Sequence, residues 1–93
     1  MQPPHPPTAP APEPGETLAV VERVIVSPAV GVYEAHEGSR EVSAGDVIGH
    51  VAVAGQEPVP VRSPFAGRLI EVVAWHGERV LHRQRIAWLR VAA

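Results

Sequence analysis

The sequence predicts an all-β domain, a sandwich of two small sheets related by a pseudo-twofold axis, behind a proline-rich tail. Three observations carry this. Valine-rich segments are interrupted by glycine or proline every six to ten residues, the texture of many short strands joined by turns. No long window shows the apolar spacing of an amphipathic helix. The segment Ser27-Pro28-Ala29-Val30-Gly31 returns as Ser63-Pro64-Phe65-Ala66-Gly67, thirty-six residues later.

The first element is the tail. Residues 1–17 hold seven prolines, from Pro3 to Pro14. Proline lacks an amide donor and confines its predecessor to extended conformations, so neither helix nor sheet is open to this stretch. It is expected to be disordered, sampling polyproline II. The folded domain is expected over residues 18–93, with strands at Leu18–Val26, Val30–Ala35, Val47–Ala54, Val59–Arg62, Gly67–Trp75 and Ile86–Val91. The duplication extends beyond the Ser-Pro turns: Gly38 matches Gly77, Val42 matches Val80, and Ile48 matches Ile86. Each half reads strand, turn, strand, glycine-bearing loop, valine, turn, strand. Neither half alone can bury its apolar face, so the two are expected to pack against each other.

Composition excludes several classes of function. With 93 residues and no cysteine, the chain offers no disulfide, thiolate nucleophile or cysteine-ligated zinc. It has no apolar run near the ~20 residues of a membrane helix, and no basic-then-apolar leader opens it; a cytoplasmic location is expected. The net charge of −2 argues against nucleic acid as a partner. Charge divides unevenly along the chain, −6 over Met1–Glu57 and +4 over Pro58–Ala93. Such a division predicts either solvated strand faces or a dipole suited to docking and head-to-tail association. All eight basic residues are arginine.

The repeated turns resemble the biotinyl/lipoyl carrier domains, a family of flattened barrels of two similar four-stranded sheets in a hammerhead arrangement. The family pattern Ala-Pro-x-x-Gly-x-Val, followed after a strand by Gly-Asp-x-Val-x-x-Gly-Gln-x-Leu, is matched by Ser63-Pro64-Phe65-Ala66-Gly67-Arg68-Leu69 and by Gly77 through Ile86. The first half contributes Ser27-Pro28, Gly31 and Val42-Ser43-Ala44-Gly45-Asp46-Val47-Ile48. Arg83 replaces the family's glycine of Gly-Gln; where that turn needs positive φ, arginine is strained. In the family an attachment lysine sits at the tip of the hairpin joining the halves, eight residues before the second turn's proline. That count lands on Gln56, and the count forward from Gly45 lands on Gly55. Neither has a primary amine, and the chain has no lysine at all, so neither biotin nor lipoate can be joined to it by an amide. No cofactor is expected.

Other chemistry finds little purchase. His36 and His76 fall at roughly equivalent loop positions, His50 and His82 lie near strand ends, and His5 is in the tail. No two of them share a recognisable ligand spacing, so no metal site is expected. Ser27 and Ser63 are expected to bond the local backbone of their turns rather than act as nucleophiles. Glu37, Glu41 and Asp46 read as exposed loop carboxylates, and Trp75 and Trp88 as strand residues in core or edge packing.

The resemblance therefore implies a non-catalytic module that keeps the frame of a carrier without its chemistry. Its contact is expected at the hairpin residues Ala54, Gly55, Gln56, Glu57 and Pro58. The expected partner is a protein, such as a subunit of an acyl-CoA carboxylase-type or acyltransferase complex. The alternatives are a β domain that self-assembles into a homo-oligomer, and a true biotin or lipoyl carrier, which the missing lysine opposes.

Overall fold

Eight strands form two four-stranded antiparallel sheets in the computed structural model, which describes residues 20–92. The tail expected over residues 1–17 lies outside the described residues. The strands are β1 (Val20–Val26), β2 (Gly31–Ala35), β3 (Glu41–Val42), β4 (Val47–Ala52), β5 (Val59–Arg62), β6 (Gly67–Val72), β7 (Arg79–Val80) and β8 (Arg85–Ala92). One sheet has the order β1-β8-β6-β3 and the other β5-β4-β2-β7. Advancing every strand of the first by half the chain (β1 to β5, β8 to β4, β6 to β2, β3 to β7) yields the second. The duplication read in the sequence is thus a duplication of topology, with strands exchanged between sheets.

The Ser-Pro turns explain why this repeat persists. Ser27 and Ser63 are fully buried, and each hydroxyl donates to the carbonyl two residues on, Ala29 or Phe65, at 2.6 Å. Their backbones clamp the opposite turn. The Ser27 amide donates to the Gln84 carbonyl and its carbonyl accepts from the Arg83 amide, both at 2.8 Å. In the other half Ser63 does the same with Asp46 at 2.8 Å and Gly45 at 2.7 Å. A buried hydroxyl without a partner costs about 1–3 kcal/mol, so a side chain that satisfies itself locally is favoured here. Both serines accordingly serve structure, as the turn chemistry predicts.

Gly31 and Gly67 open β2 and β6 at equivalent crossings. A Cβ on Gly31 would run into the Ala52 carbonyl, and one on Gly67 into the Arg90 carbonyl. The register between β4 and β5 shifts between Val47↔Arg62 and Gly49↔Val61, leaving Ile48 as the extra residue of a bulge. Ile86 is left over in the same way between Ile25↔Ala87 and Val26↔Arg85. Both isoleucines turn into the core, each contributing about 1.5–3 kcal/mol by burial. Ile25 with Val61, Tyr33 with Leu69, and Val51 with Leu89 complete the paired core.

Several expectations are corrected. The strand expected to reach Trp75 stops at Val72, because the Val73 and Ala74 amides both turn to the Ile86 carbonyl. Trp75 instead begins a turn and is 78% exposed, so it is no core or edge residue. Trp88 does lie in β8, half-buried, with the Arg85 guanidinium 5.9 Å from its ring centroid. The strand expected to end at Ala54 ends at Ala52, where the joining turn begins. The two-residue strands β3 and β7 are too short to show alternation, although Val42 and Val80 mark them in the repeat. Finally, the described charges of the two halves are spread over both sheets. Each sheet mixes strands of both halves, and acids of the first half meet arginines of the second: Glu41 with Arg68 at 3.4 Å and Glu22 with Arg90 at 3.2 Å.

Candidate functional site

Three places carry side chains beyond those the frame requires. The first is the hairpin between β4 and β5. The Gln56 amide closes a turn onto the Val53 carbonyl at 3.2 Å, with Gly55 at φ 75° in the third position, as in type II turns. Ala54, Gly55, Gln56, Glu57 and Pro58 are all exposed, so the residues expected to meet a partner stand together at one tip. Pro58 and Pro60 stiffen its return strand. Its counterpart by the pseudo-twofold is the end where β1 and β8 pair, Val20 against Ala92. The tip is therefore the one strand connection that the other half does not duplicate.

The second is an open groove of about 570 Å³ between the sheets, beneath the loop from β2 to β3. Tyr33, Ile48, Leu69 and Val72 line its floor, and Arg40 and Glu37 its rim. Arg40 is held across it: its carbonyl accepts from the Leu69 amide at 2.7 Å, and its guanidinium Nη1 donates to the Leu69 and Ile70 carbonyls at 3.3 and 3.4 Å. Tyr33 is fully buried, and its hydroxyl donates to the Ile48 carbonyl at 3.3 Å. Burial raises the phenol above its usual value near 10. The ring occupies the space a side chain would need at position 49, since a Cβ there would lie 2.6 Å from Tyr33 Cε1. In the other half the corresponding pair is Leu69 and Ala87, so bulk moves from one residue to the other.

The third was not visible in the sequence. His36 Nε2 and His50 Nδ1 stand 2.6 Å apart, their ring centroids 4.5 Å apart and their planes tilted by 43°. The β2–β4 ladder brings them together. Glu34 pairs with His50 and Ala35 with Gly49, and the His36 amide extends the ladder by donating to Ile48 at 3.2 Å. His36 and His50 are thus diagonal neighbours across two strands. Fourteen positions apart in sequence, they match no linear ligand spacing; the signal was the hairpin register, which a sequence reading leaves undetermined. His76 serves locally, its Nδ1 accepting from the Ala35 amide at 3.1 Å, and His82 is exposed in the turn before β8. Glu37, Glu41 and Asp46 are exposed, as expected. Asp46 closes its own turn by accepting from the Ser43 amide at 2.8 Å. Among the described residues no three His, Asp or Glu side chains are grouped to hold a metal ion.

A scan against protein-family models finds no match to this chain, and a search among curated proteins finds no relative. Among the described residues no helix is long and apolar enough to cross a membrane.

Proposed function

We propose that the chain is a non-carrying module of biotinyl/lipoyl type, which docks a protein partner through the tip of the β4–β5 hairpin. The observation that carries this reading is the exposed turn Ala54–Pro58, which joins two duplicated and interleaved halves yet offers no amine. A carrier presents its attachment lysine on such a turn. A domain that keeps the turn and the frame but lacks every lysine keeps a surface, not a reaction. The partner fitting the resemblance is a cytoplasmic acyl-CoA carboxylase-type or acyltransferase subunit, and the module itself is not an enzyme.

The sheet edges weigh against self-assembly. β3 and β7 are two residues each, β5 carries Pro60, and β1 lies beside β5 where the sheets meet. Short, proline-bearing or covered edges are the devices that prevent edge-to-edge pairing.

Two measurements test the proposal. After co-expression with a biotin or lipoate ligase, the intact mass should be unchanged; a gain of one prosthetic group overturns it. Pull-down from the native cytoplasm should recover carboxylase or acyltransferase subunits. A chain carrying Gln56→Ala and Glu57→Ala should recover markedly less, and equal recovery by both chains removes the tip from the interface.

A further inference from the structure

We propose that His36 and His50 form a two-imidazole site for a divalent late-transition cation, with Cu²⁺ held most tightly. Their facing nitrogens, 2.6 Å apart, share a single hydrogen bond, so one ring donates and the other accepts. Shifting the donor's proton to that ring's other nitrogen leaves a lone pair on each facing nitrogen, and a turn of both rings about their side-chain bonds brings the two to bear on one cation. Neutral imidazole is the ligand that copper, nickel and zinc favour among nitrogen donors.

The separation of the two nitrogens needs little adjustment. With metal–nitrogen bonds of about 2.0–2.1 Å, two ligands stand about 2.9 Å apart at a right angle and about 3.3 Å apart at a tetrahedral one. Small rotations about the side-chain bonds open the pair by less than about 1 Å, and His36, exposed on the loop, has room to move. The β2–β4 ladder holds both backbones in register, so the two rings stand within reach of one cation before it binds. Glu34, directly across the ladder from His50, adds negative charge beside the site. Because no third His, Asp or Glu completes a group among the described residues, water or a small anion fills the remaining positions. The result is an open site rather than a closed structural one.

The other half shows that packing does not demand this pair. The counterpart of the His36 amide bond to Ile48 is the Val73 amide bond to Ile86, at 2.8 Å, and the counterpart of His50 is Trp88. The corresponding strand pair is therefore built once with valine and tryptophan, beside an extra residue at Ile70, and once with two histidines in contact.

Calorimetric titration of the full chain with CuCl₂ and NiCl₂ at neutral pH tests the site. One equivalent should bind, with Cu²⁺ tighter than Ni²⁺. His36→Gln and His50→Gln should each weaken binding by at least about tenfold, and the double variant little more than either alone, because one remaining imidazole no longer chelates. His82→Gln should bind as the parent does. Binding unaffected by His36→Gln and His50→Gln, or abolished by His5→Gln alone, overturns the proposal, as does an absence of saturable binding. A second measurement needs no variant. Paramagnetic Ni²⁺ should broaden the NMR signals of Glu34–Glu37 and Gly49–Val51 first, and broadening centred elsewhere refutes the site.

Discussion

Raising the pH should destabilise this domain through one residue, Tyr33. The chain contains a single tyrosine, no lysine and no cysteine. Between the range of the α-amine, near 8, and that of arginine, above 12, no other side chain titrates. Burial holds the Tyr33 phenol above its usual value, because a phenolate there would lose its water among Ile48, Gly49 and the core. In the unfolded chain the phenol ionises at about 10. Below that pH both states keep the proton and stability is unaffected. Above it the unfolded state releases a proton that the folded state retains, so stability falls until the folded pKa is reached. The limiting slope is about 1.4 kcal/mol per pH unit, one proton's worth. For a 93-residue chain whose whole stability is of the order of 5–10 kcal/mol, that loss is readily measured. Urea unfolding followed by tryptophan fluorescence, from about pH 8 to about pH 11.5, gives the slope. Tyr33→Phe should abolish it, at a neutral-pH cost of about 1 kcal/mol for the lost hydrogen bond to Ile48. A flat wild-type profile through pH 10–11, or an equal slope in Tyr33→Phe, would refute this account.

Two further substitutions probe the duplicated frame. Arg83 has φ 70° at the turn position where the other half has Gly45 at φ 92°; Arg83→Gly should stabilise the domain by about 0.5–1 kcal/mol, the left-handed strain relieved less the entropy of glycine. A denaturation midpoint that stays put or falls would mean the turn is not strained. Gly67→Ala should cost about 1–3 kcal/mol by driving a methyl into the Arg90 carbonyl. Gly38→Ala, with nothing near its Cβ, should stay within about 0.5 kcal/mol, and equal losses at both positions would contradict the crossing geometry.

Local signals in the sequence marked what local chemistry determines. Ser-Pro-x-x-Gly locates both clamped turns because proline, a small hydroxyl and an absent side chain are each needed there, and Arg83, standing where the resembled pattern has glycine, is at φ 70°. The exchange of strands between sheets has no such signature. It is a pairing choice spread over the whole chain, and it turned an apparent charge division into cross-half ion pairs. The sequence puts Trp75 in a strand because its apolar neighbours, Val72 through Ala74, continue the strand texture. The strand ends where the Val73 and Ala74 amides share the Ile86 carbonyl, an acceptor placed by the bulge in a distant strand. The histidine pair was hidden for the same reason. Cross-strand neighbours are fixed by register, and register here rests on the bulge at Ile48 as much as on alternation.

Comparing the two halves separates structural residues from those free to do something else. Ser27 and Ser63, Gly31 and Gly67, and Ile48 and Ile86 agree because the same clamp, crossing and bulge occur twice. Tyr33 with Gly49 differs from Leu69 with Ala87, but the exchange conserves volume: a larger ring is matched by a missing methyl, so packing accounts for it. His36 and His50 against Val73 and Trp88 is a different kind of exchange. It trades apolar bulk, set beside the bulged Ile70, for two polar rings in contact. Two adjacent imidazoles add little to stability at an exposed position, where water competes for their hydrogen bonds. Their distinctive property is a pair of lone pairs held at chelating separation, and the metal titration asks for that property directly. The hairpin tip has no such internal control, because its equivalent in the other half is the place where β1 begins and β8 ends, with no turn joining them. Its role must be read from binding, whereas the histidine pair can be judged against the half of the molecule that lacks it.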